Sequence, residues 1–331
     1  MLINSSSHTR SITKMGSEAA IQLPKIDFSQ ISSDNLHDLS IWESVKADVF
    51  KAFQEYGCFE VSSFVSIELQ ETVYDDLKHL FDLPLETKRR NTSDIAFHGY
   101  VQSPKVPLYE SMGIGNPFIP ENVDNFSNLM WPDQDNPKFR ESMKSYSKKL
   151  RELDEIVKKM VFQCLDLERY LEDQMNSTSY LLKLMKYRAP EPNESDIGLH
   201  THTDTNIMTI LHQDEIGGLE ILTKNDEWIR VNAAPNSFVI VAGESLNVWL
   251  NGRVHVPFHR VVMTGNMARY SLGFFSVQKA TSLVKAFDEM VDEEHPLLYK
   301  PFNYGEFLKF FYKEGGIKSK FALKTYCGVE N

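Results

Sequence analysis

The sequence predicts a mainly β protein with flanking helices, its β part a sandwich or jelly roll lying behind an α/β N-terminal segment. Three patterns predict it. From Tyr180 onward the chain breaks into short β-rich runs separated by turn residues: Tyr180 to Tyr187, His202 to Leu211, Gly218 to Leu222, Trp228 to Val231, Phe238 to Val241, Arg260 to Val262 and Tyr270 to Val277. Short strands at this spacing belong to antiparallel double-sheet folds. Ahead of them Phe139, Met143, Tyr146, Leu150, Leu153, Val157 and Met160 step by three or four residues, the apolar stripe of one long helix expected to lie along a sheet. Near the start, Leu23 to Phe28 and Cys58 to Val61 read as strands on either side of a helical pattern.

In chain order, residues 1–20 are rich in Ser and Thr and lack an apolar run, and are expected to form a disordered tail rather than a secretion signal. Ile41, Val45, Val49 and Phe53 recur every four residues until Gly57 ends the helix. A second helix carries Val73, Leu77 and Phe81 and stops before Pro84, because proline lacks the N–H and restricts its predecessor. Residues 84–135 hold six prolines and a Gly-containing Met112 to Gly115 stretch, and are expected to be irregular, a wall or lid for a pocket. Pro137 suits the first turn of the long helix, where an N–H would have no partner. A last helix, Tyr304 to Tyr312, is aromatic on one side and is expected to cover the barrel.

The composition narrows the chemistry. The chain has 331 residues, 42% of them hydrophobic, enough for a substantial core. Its 35 basic and 46 acidic residues give a net charge of -11 with no basic block, which disfavours a nucleic-acid partner. No apolar run approaches the ~18 residues of a membrane span. Cys58, Cys164 and Cys327 are odd in number and far apart, the usage of reduced thiols in the cytosol.

Two constellations can carry chemistry. In His200-Thr201-His202-Thr203-Asp204 a strand would turn His200, His202 and Asp204 to one face. His200 and Asp204 would be ~13 Å apart at ~3.3 Å per residue, whereas His202 and Asp204 can converge on one ion. The third ligand must come from another strand, and His212, His255, His259 and His295 are all candidates by spacing. Two imidazoles and a carboxylate suit a non-haem Fe(II) site with open positions, and zinc accepts the same set. Downstream, Arg269 and Ser271 share a strand face beside the apolar Leu272 to Phe275 run. A guanidinium in such a setting, with a hydroxyl beside it, is suited to clamp a small carboxylic acid.

Taken jointly, His202-Thr203-Asp204, His259-Arg260-Val261 and Arg269-Tyr270-Ser271 resemble the signature of plant 2-oxoglutarate/Fe(II)-dependent dioxygenases. Gly217-Gly218-Leu219, Trp228, Asn251-Gly252-Arg253, Leu23-Pro24-Lys25-Ile26-Asp27 and Tyr56-Gly57-Cys58-Phe59 resemble further landmarks of that family. Lys186-Tyr187-Arg188, Leu199 to Asn206 and Asp292 to Leu297 are similar to its AOP-type branch, whose named members modify glucosinolate side chains and whose relatives act on lignans, steroidal alkaloids and terpenoids.

The resemblance implies a double-stranded β-helix (jelly roll, cupin-like) core with an α/β N-terminal domain. The implied division is a tail over 1–20, an N-terminal dioxygenase domain over 21–135, a supporting helical region over 136–178, the catalytic jelly roll over 179–285 and a helical cover over 286–331. It implies Fe(II) on His202, Asp204 and His259, and the distal carboxylate of 2-oxoglutarate on Arg269 and Ser271 with Tyr187 joining them. Lys183 matches a position near the pocket in some relatives. Gly243-Glu244, Leu250-Asn251-Gly252 and Val256 depart from the usual Gly-Asp, Ser-Asn-Gly and Ser, and none is a proposed ligand.

The implied activity is oxidation by O2 of a small organic substrate: hydroxylation, desaturation, ring closure or O-demethylation, with ascorbate as reductant. No second cationic cluster accompanies Arg269, so the expected substrate is an apolar plant metabolite such as a terpenoid, alkaloid or phenolic, walled by Tyr100, Tyr109, Phe118, Lys183 and Phe274. A cytoplasmic monomer free of nucleic acid and membrane is expected. The competing expectations are an oxidase of the amino-cyclopropane-carboxylate oxidase kind that does not use 2-oxoglutarate, a zinc hydrolase, and a non-catalytic ligand-binding jelly roll.

Overall fold

The computed structural model describes residues 22–31, 39–95, 97–232, 234, 236–313 and 321–329; the tail expected over 1–20 lies outside them. Eight strands form one sheet in the order Lys25–Asp27, Cys58–Ser62, Ser237–Ala242, Met208–Gln213, Arg269–Gln278, Thr178–Tyr187, Val106–Gly115 and Val101–Ser103. Four more, Ile197–His202, His259–Val262, Leu219–Leu222 and Trp228–Arg230, form a second sheet. Apart from the parallel first pair, neighbouring strands in both sheets are antiparallel.

Two apolar clusters hold the sheets face to face. Leu219, Ile221 and Ile229 pack with Val239 and Val241, and Val261 and Met263 pack with Tyr109, Met185 and Tyr187. The space between the clusters is the interior of a double-stranded β-helix, and strand periodicity of two decides which side chains enter it.

The other face of the large sheet is covered by the helix Pro137–Gln163, capped by Asn136 Oδ1 accepting from Phe139 N at 3.1 Å. Its stripe from Phe139 to Met160 is buried in the principal core with Leu182, Leu184, Ile210, Phe238, Leu272 and Phe274. Polar groups on this face pair among themselves. Tyr180 donates to Asp154 at 3.0 Å, Lys158 Nζ lies 2.7 Å from the same carboxylate, and the Tyr146 hydroxyl meets His212 Nδ1 at 2.8 Å.

The helices Leu39–Glu55, Ile67–Phe81 and Tyr304–Lys313 occupy the stretches their periodicity predicts. Two expectations are corrected. Residues 84–135 are not irregular: they contain the helices Leu85–Lys88 and Pro120–Met130 and the strands Val101–Ser103 and Val106–Gly115. Pro107, Gly113 and Gly115 mask the second strand, which pairs with Thr178–Tyr187 from Tyr109 to Gly115, so tertiary pairing overrides local composition. The run from His202 to Leu211 is not one strand either. One strand ends at His202, residues 203–207 turn, and a second begins at Met208 in the other sheet.

Candidate active site

The turn at 203–207 builds the metal-ligand set. His202 ends its strand directly opposite His259 in the antiparallel register, with ring centroids 4.2 Å apart. Asp204 reaches them from the turn, its Oδ1 3.8 Å from Nε2 of each histidine. Among the described residues this trio is the one set of His, Cys, Asp and Glu whose donor atoms converge as for a metal ion.

Neighbours fix the orientation of these donors. His202 Nδ1 lies 2.7 Å from the His200 carbonyl, which assigns its proton to Nδ1 and turns the Nε2 lone pair inward. Thr209 donates to Asp204 Oδ2 at 2.6 Å and leaves Oδ1 facing the imidazoles. Burial and the neighbouring His259 ring lower the basicity of His202, favouring the neutral form a metal requires. The turn itself is held by Gly243, where a Cβ would collide with the Asn206 carbonyl, and by Glu244, whose N–H donates to the Asp204 carbonyl at 2.8 Å. The Glu244 carboxylate accepts from Thr203 Oγ1 at 2.6 Å and from Leu323 N at 2.8 Å, linking the turn to the helix Ala322–Cys327.

Arg269 lies on the inner face of the large sheet and is 3% exposed. Its Nη1 donates to Ser271 Oγ at 2.9 Å and its Nη2 to Gln213 Oε1 at 3.1 Å, while its Nε has no partner. The guanidinium lies 4.9 Å from the ring centre of Tyr187, its register neighbour. No acidic side chain among the described residues comes within ion-pair distance, and a buried cation without a counter-charge is costly unless an anion completes it. These residues fit a carboxylate.

Register orders the inner face into rows. Tyr109, Tyr187 and Arg269 are aligned; the next row is Ser111, Met185, Ser271 and Gln213; then Gly113, Lys183, Gly273 and Leu211; then Gly115, Leu181, Phe275 and Thr209. Lys183 therefore stands between the guanidinium rows and the threonine that holds the metal carboxylate. Burial pushes its ammonium down to about 8, with Asp204 pulling the other way.

Three of the five expected pocket walls face elsewhere. Phe274 is stacked on Tyr180 at 5.1 Å in the helix-side core, and Phe118 packs edge-on against the same Tyr180 at 5.4 Å. The Tyr100 hydroxyl donates to Glu110 at 2.9 Å, beside Lys88. Tyr109 does belong to the inner face, 5.1 Å from Tyr187. Of the alternative metal candidates, His212 points to the helix side, His295 binds Asp292 at the surface, and His255 is not among the described side chains whose donor atoms converge. Thr209 and Gln213 are supports that no sequence motif singles out, although their alternation with Leu211 on one strand signals a shared face.

Two family models cover most of this architecture: the 2OG-Fe(II) oxygenase superfamily over residues 173–278 and the N-terminal region of the non-haem dioxygenases in morphine synthesis over 23–134. An Arabidopsis thaliana protein named probable 2-oxoglutarate-dependent dioxygenase AOP1.2 is 43% identical over 315 residues, covering 93% of this chain and 96% of its own. The chain belongs to the 2-oxoglutarate/Fe(II)-dependent dioxygenases. A rice dioxygenase for auxin oxidation is similar in structure, with a TM-score of 0.77 at 28% identity over 93% of this chain and all of its own. The Arabidopsis thaliana counterpart, solved with 2-oxoglutarate, gives 0.75 at 26% identity over 83% of this chain and all of its own. Membership in the family brings Fe(II) and 2-oxoglutarate to a fold whose inner face carries a two-histidine, one-carboxylate set and a buried arginine.

Proposed function

We propose that the chain oxidises an apolar-bodied plant specialised metabolite, with Fe(II) held by His202, Asp204 and His259 and the distal carboxylate of 2-oxoglutarate held by Arg269, Ser271 and Tyr187. The observation that carries this is the buried guanidinium of Arg269, unpaired by any acid among the described residues, on the sheet face that looks toward the metal-ligand trio. When bound, the iron and 2-oxoglutarate supply oxygen activation coupled to decarboxylation of the co-substrate to succinate.

The protein's own residues position the reactants. His202 and His259 present ring nitrogens from facing strands, and Thr209 holds the Asp204 carboxylate so that one oxygen is free to bind. Arg269 supplies charge-assisted donors in a planar fork and Ser271 stands beside it, which orients a carboxylate as well as binding it. The apolar clusters at either end of the interior limit water around the reacting groups.

Hydroxylation, desaturation, ring closure and O-demethylation share this machinery and differ in where the substrate lies. Ascorbate serves as reductant. The protein acts as a cytoplasmic monomer without nucleic acid or membrane, a view supported by three unpaired, separated cysteines and a net charge of -11. In the test, purified protein is incubated with Fe(II), ascorbate, 2-oxoglutarate and a panel of plant terpenoids, alkaloids and phenolics. The expected result is succinate in step with a product heavier by one oxygen, lighter by two hydrogens, or lighter by CH2 with formaldehyde released. Oxygen uptake without succinate would instead identify an oxidase that does not use 2-oxoglutarate.

A further inference from the structure

Lys183 is not used by the iron or by the carboxylate clamp. It sits on the inner face, in the row between Ser271 and Thr209, and both of its register neighbours, Gly113 and Gly273, lack side chains. Among the described residues its ammonium has no hydrogen bond and no ion pair. Its contacts are aromatic: Nζ lies 5.4 Å from the ring centre of Phe97 and 5.7 Å from that of Tyr109. The charge acts on the ligand set, lowering the basicity of His202.

The surroundings of this ammonium are held in place by the fold. Asn91 makes a two-way amide pair with Gly113, accepting from its N–H at 3.1 Å and donating to its carbonyl at 3.2 Å. That pair docks the loop before Val101–Ser103 onto the strand beside Lys183. A Cβ at Gly113 would collide with the His98 carbonyl, so the glycine permits the loop to come this close. The loop presents Phe97 at a φ of 65°, a conformation a bulky side chain rarely adopts, with its ring 44% exposed and 5.7 Å from Tyr312 of the helix Tyr304–Lys313. His98, next to it, is driven down to about 4 by burial and by Lys183, so it faces the ammonium as a neutral ring. Phe97 and Tyr312 come from segments that contribute nothing to the clamp.

We propose that Lys183 anchors a carboxylate of the organic substrate, so that the substrate class is an organic acid: an apolar or aromatic body, packed by Phe97, Tyr109 and Tyr312, that carries one carboxylate. This rests on the proposed dioxygenase activity and adds the acid group to its apolar substrate. The carboxylate supplies the close counter-charge that no described residue provides within ion-pair distance, Asp204 acting on the ammonium only from farther away, and the rings surround the remainder.

The experiment uses the full chain loaded with Mn(II) in place of iron and saturated with 2-oxoglutarate, so that nothing turns over. Binding of benzoate, indole-3-acetate, 4-coumarate and a cyclic monoterpene acid is measured by calorimetry beside their methyl esters. At least one acid is expected to bind ten or more times tighter than its ester. In Lys183→Met that preference disappears through loss of acid affinity, and in Lys183→Arg it persists. Acid and ester binding alike, no acid binding at all, or a preference that survives Lys183→Met would overturn the proposal. So would a Lys183→Met variant that loses affinity for 2-oxoglutarate instead of for the acid, because the ammonium would then serve the co-substrate. Failure of the wild type to bind 2-oxoglutarate, measured first in the same instrument, would overturn the dioxygenase assignment itself.

Discussion

The two faces of the eight-stranded sheet treat buried polar groups in opposite ways. On the helix side Asp154 meets Lys158 and Tyr180, His212 meets Tyr146, and Asp76 accepts from Ser142 at 2.5 Å. On the inner side Arg269 has hydroxyl and amide partners but no anion and Lys183 has rings, while across the interior, on the smaller sheet and the turn that leaves it, Asp204 Oδ1 lies 3.8 Å from Nε2 of both His202 and His259. Two strands of the large sheet show the alternation, even positions toward the helix and odd ones toward the interior: Tyr180 and Phe274 outward, Lys183 and Arg269 inward. Charges paired within the chain contribute to its fold. Charges left incomplete mark where ligands enter.

That contrast can be broken by experiment. Asp204→Ala should have the largest effect on function, lowering metal affinity by more than about 100-fold and abolishing succinate formation, since even indirect supports of a metal ligand cost that much. Metal titration and turnover check this, and unchanged circular dichroism is expected alongside. On the helix side, Lys158→Met leaves Asp154 buried without its counter-charge and should cost about 3–5 kcal/mol in denaturant unfolding while leaving metal affinity intact. Arg269→Leu should do the reverse. It removes a buried cation that has no counter-charge, so stability should hold or rise, whereas the 2-oxoglutarate requirement should rise about 100-fold, or ~2.7 kcal/mol. A loss of stability in Arg269→Leu comparable to that in Lys158→Met would remove the distinction between the faces.

Much of this was legible in sequence because it depends on period. The long helix and most strands announce themselves through spacings of 3.6 and two. Parity even sorts the faces: with Arg269 and Ser271 inward, Phe274 must point outward, which is where the structure has it. What sequence hides is pairing. The contact between His202 and His259 is set by antiparallel register between strands 57 residues apart, which spacing alone does not select among the histidines. Asp204 joins them from a turn, not along a strand, because the chain leaves one sheet at His202 and enters the other at Met208. The hairpin from Val101 to Gly115 is hidden by Pro107, Gly113 and Gly115, of which Gly113 is demanded by the close approach of the His98 carbonyl.

Two smaller effects sharpen the comparison. Burial on the helix side drives His212 down to about 3 from an ordinary 6.5. A folded value below the unfolded one means that the unfolded chain takes up the proton first, so this stabilisation is complete above pH 6.5 and is lost progressively toward pH 3. At pH 5 the loss from this residue alone should be about 2 kcal/mol relative to pH 8. Calorimetric unfolding across that range should show it, and His212→Asn should have the shallower dependence.

Thr209→Val is the inner-face counterpart and the mildest change. It removes the hydrogen bond to Asp204 Oδ2, together with the one Thr209 accepts from the Asn206 amide at 3.1 Å, nearly without altering shape, and frees the carboxylate to rotate. Metal affinity should fall by about tenfold, at the low end for such supporting contacts, with unfolding free energy changed by no more than ~1 kcal/mol. If stability falls while metal affinity holds, Thr209 serves the fold as Tyr146 does, and the inner face is less specialised than its unpaired charges imply.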